Sequence, residues 1–135
     1  IGRAAIGYPW IFNEIKHFLK TGEHLPAPSI EDRVAVCKKH LHKSFEWKGP
    51  KVGIFEMRRH YTNYLKGLPG IKDYRLRLVT LSTVEEIDEV LDEINIKYAG
   101  YEFEKSFHLF NQRLFSATPL YKPFLFVLQN NQLLT

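Results

Sequence analysis

The sequence predicts an all-α protein, an antiparallel bundle of helices, and three observations carry that expectation. Apolar residues recur at spacings of three and four through five successive stretches before residue 95. The first three stretches end at Gly22, Gly49-Pro50 and Gly67, so the links between them are short. No stretch before residue 95 alternates apolar with polar in the manner of a half-buried strand. A length of 135 residues, 44% apolar and 25% charged, suits one domain and excludes wholesale disorder.

The first helix is expected over Trp10–Lys20, after Pro9 at a first-turn position, with Ile11, Phe12, Ile15, Phe18 and Leu19 facing inward and Gly22 as the stop. The loop Glu23–Pro28 holds two prolines. Ser29 is a good N-cap, with Asp32 three residues on as its capping partner. The second helix is expected over Ile30–Trp47, on the stripe Ile30, Val34, Cys37, Leu41 and Phe45. The third runs over Val52–Lys66, on Ile54, Met57, Tyr61, Tyr64 and Leu65. A shorter fourth fits Ile71–Thr80. Ser82-Thr83-Val84-Glu85 reads as a capping box that opens a fifth helix, to about Ile94, with Val84, Ile87, Val90, Leu91 and Ile94 inward and six acids outward. Beyond it the tail is of uncertain structure. Phe103, Phe107, Phe110 and Leu114 fit a sixth helix, and Leu120–Leu128 is an apolar run interrupted by Pro123, expected to be covered.

The net charge of +4 hides an asymmetry. Residues 1–80 carry 15 Lys/Arg against 7 Asp/Glu, whereas 81–135 carry 4 against 8. A basic middle beside an acidic flank suggests a surface that faces a polyanion, or else a solvated lysine-rich face. The cations fall on three successive helices: Lys38, Lys39, His42 and Lys43; then Arg58, Arg59 and Lys66; then Lys72, Arg75 and Arg77. Converging, they would hold one phosphate-rich ligand.

Catalytic and metal chemistry find little support. His40 and His42 are two apart and point to different helix faces, and the other four histidines form no ligand pattern, so no metal is expected. Cys37, the one cysteine, lies in an apolar stripe and reads as structural. It leaves no disulfide, and a cytoplasmic protein is the natural reading. No stretch is long and apolar enough to span a membrane. The only methionine is Met57, so the chain reads as a piece of something longer.

Two blocks carry a resemblance. Ile1-Gly2-Arg3-Ala4-Ala5-Ile6-Gly7-Tyr8-Pro9-Trp10-Ile11-Phe12 resembles the segment that ends the flavin-binding barrel of the bacterial tRNA-dihydrouridine synthase family. Met57-Arg58-Arg59-His60-Tyr61, followed by Tyr64-Leu65-Lys66-Gly67-Leu68-Pro69-Gly70, is similar to that family's helical-domain signature. The resemblance implies an oxidoreductase in which an eight-stranded TIM barrel holds FMN and a C-terminal helical domain grips tRNA. In such enzymes NADPH or NADH reduces the flavin, hydride passes to a uracil ring to give 5,6-dihydrouridine, and a barrel cysteine protonates the neighbouring carbon.

It further implies a barrel remnant over 1–12 and a tRNA-binding domain over 13–95; residues 96–135, which the resemblance does not cover, are expected to form an extension that packs on the bundle. The resemblance places the flavin-phosphate loop at Gly2 and Arg3, and no catalytic residue in this chain, the cysteine being expected upstream. Tyr8 stands where the family more often carries asparagine or another polar residue. The RNA-facing residues expected are Arg58, Arg59, Lys66, Lys72 and Arg75. The alternative is a helical protein-interaction module with incidental basic charge. A helix-turn-helix DNA binder lacks its tight glycine turn.

Overall fold

A computed structural model describes residues 2–103, and among them the chain is helical, with no strand. A 3-10 turn, Gly2–Ala5, precedes four helices: α1 (Ile11–Thr21), α2 (Ile30–Tyr64), α3 (Lys72–Thr80) and α4 (Val84–Lys97). None of them is long and apolar enough to cross a membrane. Residues 2–10 and 28–103 belong to one compact unit, and 11–27 belong to another.

In the second unit α1 follows its expected bounds. Its C-terminus is closed by Gly22, at φ 71°, whose N–H donates to the Phe18 carbonyl at 2.8 Å. The buried arc differs from the expected stripe. Ile11 and Glu14 are buried while Phe12 and Leu19 are exposed. Phe12 and Leu19 share one edge of the stripe, and the buried arc is turned the other way, toward Glu14.

The larger unit is a bundle built on a hairpin. α2 is broken at Gly49 (φ 79°, ψ 173°), which gives an arm over 30–48 and a second over 50–64. Only glycine adopts that φ without strain, and Pro50 then opens the second arm, where its missing N–H costs nothing. The two helices expected here are therefore present, with a turn tighter than the sequence suggested. Ser29 caps the first arm with the reciprocal pair expected: Asp32 N–H donates to Ser29 Oγ at 3.2 Å, and Ser29 N–H to Asp32 Oδ2 at 3.3 Å.

The arms run antiparallel. Arg33 Nη1 reaches the Lys66 carbonyl, His40 meets Tyr64, and Ser44 Oγ donates to the Gly53 carbonyl at 3.1 Å. At that last crossing a Cβ on Gly53 would stand 2.5 Å from the Ser44 carbonyl oxygen, so the backbones touch. This approach turns Ser44 inward and leaves Phe45, an expected core residue, exposed.

The core takes Ile30, Val34, Cys37 and Leu41 from the first arm and Ile54, Met57, Tyr61 and Tyr64 from the second. Val84, Ile87, Val90, Leu91 and Ile94 of α4 close it, with Leu78 of α3. Burial pushes the Cys37 thiol up to about 12, so it is a packing residue. The N-cap of α4 is Thr83, one residue later than the box read from the sequence. Its Oγ1 accepts from Glu86 N–H at 3.4 Å and donates to Glu86 Oε2 at 2.6 Å. Val84 is thereby the first helical residue and starts the buried stripe. α4 continues past Ile94 to Lys97, and Tyr98 joins the core. Phe103 packs against it, whereas the sixth helix and the run Leu120–Leu128 lie outside the described residues.

Candidate nucleic-acid interface

Three of the six acids of α4 are spent on neighbouring cations. Lys38 Nζ bonds Asp92 at 2.7 Å, His42 Nε2 bonds Asp88 at 2.7 Å, and Arg77 holds Glu93 in a bidentate pair at 2.6 and 3.0 Å. The Glu93 carboxylate keeps the Arg77 pKa raised, and Arg77 holds that of Glu93 below the usual range. The basic residues expected on the first arm therefore divide. Lys38 and His42 bind α4, while Lys39 stays exposed and Lys43 pairs with Glu46 at 2.9 Å. Such exposed pairs contribute little stability, but they decide which cations are left for a ligand.

On the second arm, Arg58 and Arg59 diverge. Arg58 is half-buried, with Nη2 at 3.5 Å from the Leu81 carbonyl and its guanidinium 5.3 Å from the Phe55 ring centroid. Arg59 is exposed and lies beside His60, Nε to Nε2 at 3.4 Å. Lys66 and Lys72 are exposed and Arg75 is half-buried. Among the described residues none of Arg59, Lys66 and Lys72 forms an ion pair. These three are the cations the fold leaves available from the five expected to face RNA.

Beside Arg59 lies a polar cluster shared by both arms. The His40 and His60 ring centroids are 4.8 Å apart, and His40 Nδ1 meets Tyr64 Oη at 3.1 Å. Lys48 bonds Glu56 across the hairpin. Desolvation, with the nearby cations, lowers the pKa of both histidines. The folded protein therefore binds fewer protons here than the unfolded chain, whose histidines titrate near 6.5. Stability from this pair is fully present above that value. It is lost as pH falls through it, and the loss levels off below the depressed folded values. Urea titrations at a series of pH values are expected to show a fall in midpoint below about pH 6.5. His60→Gln is expected to make that fall shallower, and an unaltered slope would remove the pair as its source. No group of three or more histidine, cysteine, aspartate or glutamate residues that would hold a metal ion exists among the described residues.

Gly2 and Arg3 lie in the 3-10 turn, both exposed, and among the described residues no atom beyond the adjoining ones lies within 4 Å of where a Gly2 Cβ would be. An open backbone beside an exposed guanidinium fits a phosphate group, and these two residues would hold only that end of a flavin mononucleotide. The turn is seated on the bundle through Gly7, whose φ is 72° and whose Cβ position is taken by Asn63 of the second arm. Tyr8 follows, with the Arg33 guanidinium 5.4 Å from its ring centroid. Arg33 is buried and also stacks on Phe103 at 3.6 Å. Sequence reasoning passed over Arg33, although its place three residues after Ile30 and four before Cys37 puts it at the margin of the buried stripe.

A family model for dihydrouridine synthase (Dus) matches residues 1–99. The chain belongs to the dihydrouridine synthase family. It is 42% identical over 85 residues to tRNA-dihydrouridine synthase B of Pseudomonas putida, covering 63% of this chain and 25% of that protein. It is 36% identical over 91 residues to a probable tRNA-dihydrouridine synthase 1 of Synechocystis, covering 67% of this chain and 25% of the relative. With a probable tRNA-dihydrouridine synthase of Rickettsia typhi it shares 31% over 93 residues, 69% of this chain and 28% of the relative. The chain thus spans about a quarter of the length of these relatives.

Proposed function

We propose that this chain is the tRNA-binding helical domain of a cytoplasmic tRNA-dihydrouridine synthase, an oxidoreductase that reduces uridine in tRNA to 5,6-dihydrouridine. The observation that carries the reading is the sorting of charge. Intramolecular pairs absorb Lys38, His42 and Arg77, and Arg59, Lys66 and Lys72 stay exposed without carboxylate partners among the described residues. Cations so presented suit a phosphate backbone. Arg58 and Arg75 are half-buried and contribute less.

Residues 1–12 are read as the end of the enzyme's barrel, with Gly2 and Arg3 toward the FMN phosphate. When bound, the flavin supplies the hydride, with NADPH or NADH as its reductant. The chain's own part is to bind and orient the RNA. The family match over residues 1–99 and the names of the relatives support this assignment.

Filter binding of the chain to an unmodified tRNA transcript at graded salt tests it. Each neutralised phosphate contributes a log–log slope of about −0.7 to −0.9, so three contacts give about −2 to −3. Arg59→Ala with Lys66→Ala is expected to weaken binding and flatten the slope by about 1.5. Folding should be unaffected, because exposed substitutions usually stay within about 0.5 kcal/mol. Glu89→Gln on α4 serves as the control. No affinity for the transcript at low salt would refute the assignment.

A further inference from the structure

The tip of the hairpin carries aromatic surface that neither the core nor the cationic face uses. Trp47 is 79% exposed and Phe55 68%, and Val52 and Phe45 beside them are also open. All four lie within six residues of Gly49, whose Cβ position, its chain neighbours aside, meets no atom of the described residues within 4 Å. At a rise of about 1.5 Å per residue, that confines them to the last 10 Å or so of the two arms. Trp47 stands on the final turn of the first arm and Phe55 on the second turn of the other, both off the buried stripes.

The setting is cationic. Residues 43–59 carry five Lys/Arg (Lys43, Lys48, Lys51, Arg58 and Arg59) against Glu46 and Glu56. Lys51 is exposed and in no ion pair among the described residues. The Arg58 guanidinium lies 5.3 Å from the Phe55 ring, and Arg58 Nε is buried with no hydrogen-bond partner among the described residues. Exposed aromatic rings set among lysines differ from a protein-docking patch. The centre of such a patch is depleted in lysine. They match what single-stranded nucleic acid needs: a plane for a base and a cation for the adjoining phosphate.

We infer that the hairpin tip, through Trp47 and Phe55 flanked by Lys51, is a second RNA-contact surface that stacks on unpaired bases of a tRNA loop. The inference rests on the tRNA-binding reading and extends it. The face around Arg59, Lys66 and Lys72 holds backbone phosphates and carries no preference for strandedness. The tip engages bases that have left the stack, which a duplex does not offer. It thereby favours loop over stem and helps to fix which part of the tRNA lies against the bundle.

The 135-residue chain in a Trp10→Phe background leaves Trp47 as its one tryptophan and reports on it directly. Titration with an unmodified tRNA transcript, and with a short oligouridylate, is expected to quench Trp47 fluorescence; duplex DNA of equal phosphate content is expected to quench it much less. Trp47→Ala is expected to weaken tRNA binding about 5- to 150-fold, the range that alanine replacement of a stacking ring gives, with the salt slope unchanged. Trp47→Phe keeps a π-face and should retain most of the affinity. Trp47→Leu keeps apolar area without one and should behave like alanine. Because Trp47 is exposed, all three should melt like the parent chain.

Filter binding that persists with no quenching, and with full affinity in Trp47→Ala and Phe55→Ala, overturns the tip while sparing the phosphate face. Leucine serving as well as phenylalanine also overturns it, in favour of an apolar protein partner. Absence of tRNA binding in the parent chain overturns both readings.

Discussion

Gly53→Ala is expected to cost about 3 kcal/mol of folding stability, the upper part of the range for overpacking, although alanine is the better helix former by close to 1 kcal/mol. The new Cβ would stand 2.5 Å from the Ser44 carbonyl oxygen, 2.7 Å from its carbon and 2.8 Å from the Phe45 Cα. All three are backbone atoms of a helix, so no side chain can swing aside. Relief requires the arms to separate, which breaks the Ser44 Oγ bond to the Gly53 carbonyl and opens the core that both arms share. A domain of this size has only about 5–15 kcal/mol in total, so the urea midpoint should fall steeply. Ser44→Ala isolates the hydrogen bond and should cost about 1 kcal/mol. A Gly53→Ala midpoint equal to the parent's would show that the arms do not cross so closely.

Arg33→Ala is expected to cost about as much, roughly 3 kcal/mol, by a different route. The guanidinium lies 3.6 Å from the Phe103 ring centroid and 5.4 Å from that of Tyr8. Its Nε donates to the Pro28 carbonyl and Nη1 to the Lys66 carbonyl, each at 3.4 Å. Lys66 lies just past the C-terminus of α2, where outward-facing carbonyls favour a cation. One side chain thus ties residues 8, 28, 66 and 103 together. Arg33→Lys keeps the charge but loses the planar fork and the stacking face, so most of the loss should persist. Arg33→Met keeps the packing of the stem and loses both polar contacts. Near-parent stability in Arg33→Met would assign the residue's worth to its methylenes alone. Because Tyr8 follows the turn that carries Gly2 and Arg3, limited proteolysis of Arg33→Ala should cut within residues 2–10 sooner than in the parent.

The helices were legible in the sequence because their causes are local. Ser29 with Asp32 sets a start, Gly22 and Gly67 set stops, and apolar spacing sets the buried face of the second arm, where every expected residue is buried. The family was legible from two sequence blocks, and the match over residues 1–99 bears it out. The charge surplus of the basic middle was plain too, since it needs only counting.

What the sequence could not apportion was the use of each charge. Lys38 and Lys39 are adjacent lysines, yet one is tied to Asp92 and the other faces solvent. That difference exists only once α4 packs antiparallel on the first arm, 54 residues away. Arg58 and Arg59 separate for the same reason: one step along a helix turns the side chain by about 100°, and only the neighbour reached then decides its fate. The crossing at Gly53 and the exposure of Phe45 likewise depend on how closely two helices approach, and the burial of Arg33 on segments far from it in sequence. Local propensity and periodicity determined where this chain coils and which side it hides. Interhelical distance, set by a missing Cβ and by partners far off in sequence, determined which cations and aromatic rings remain for another molecule.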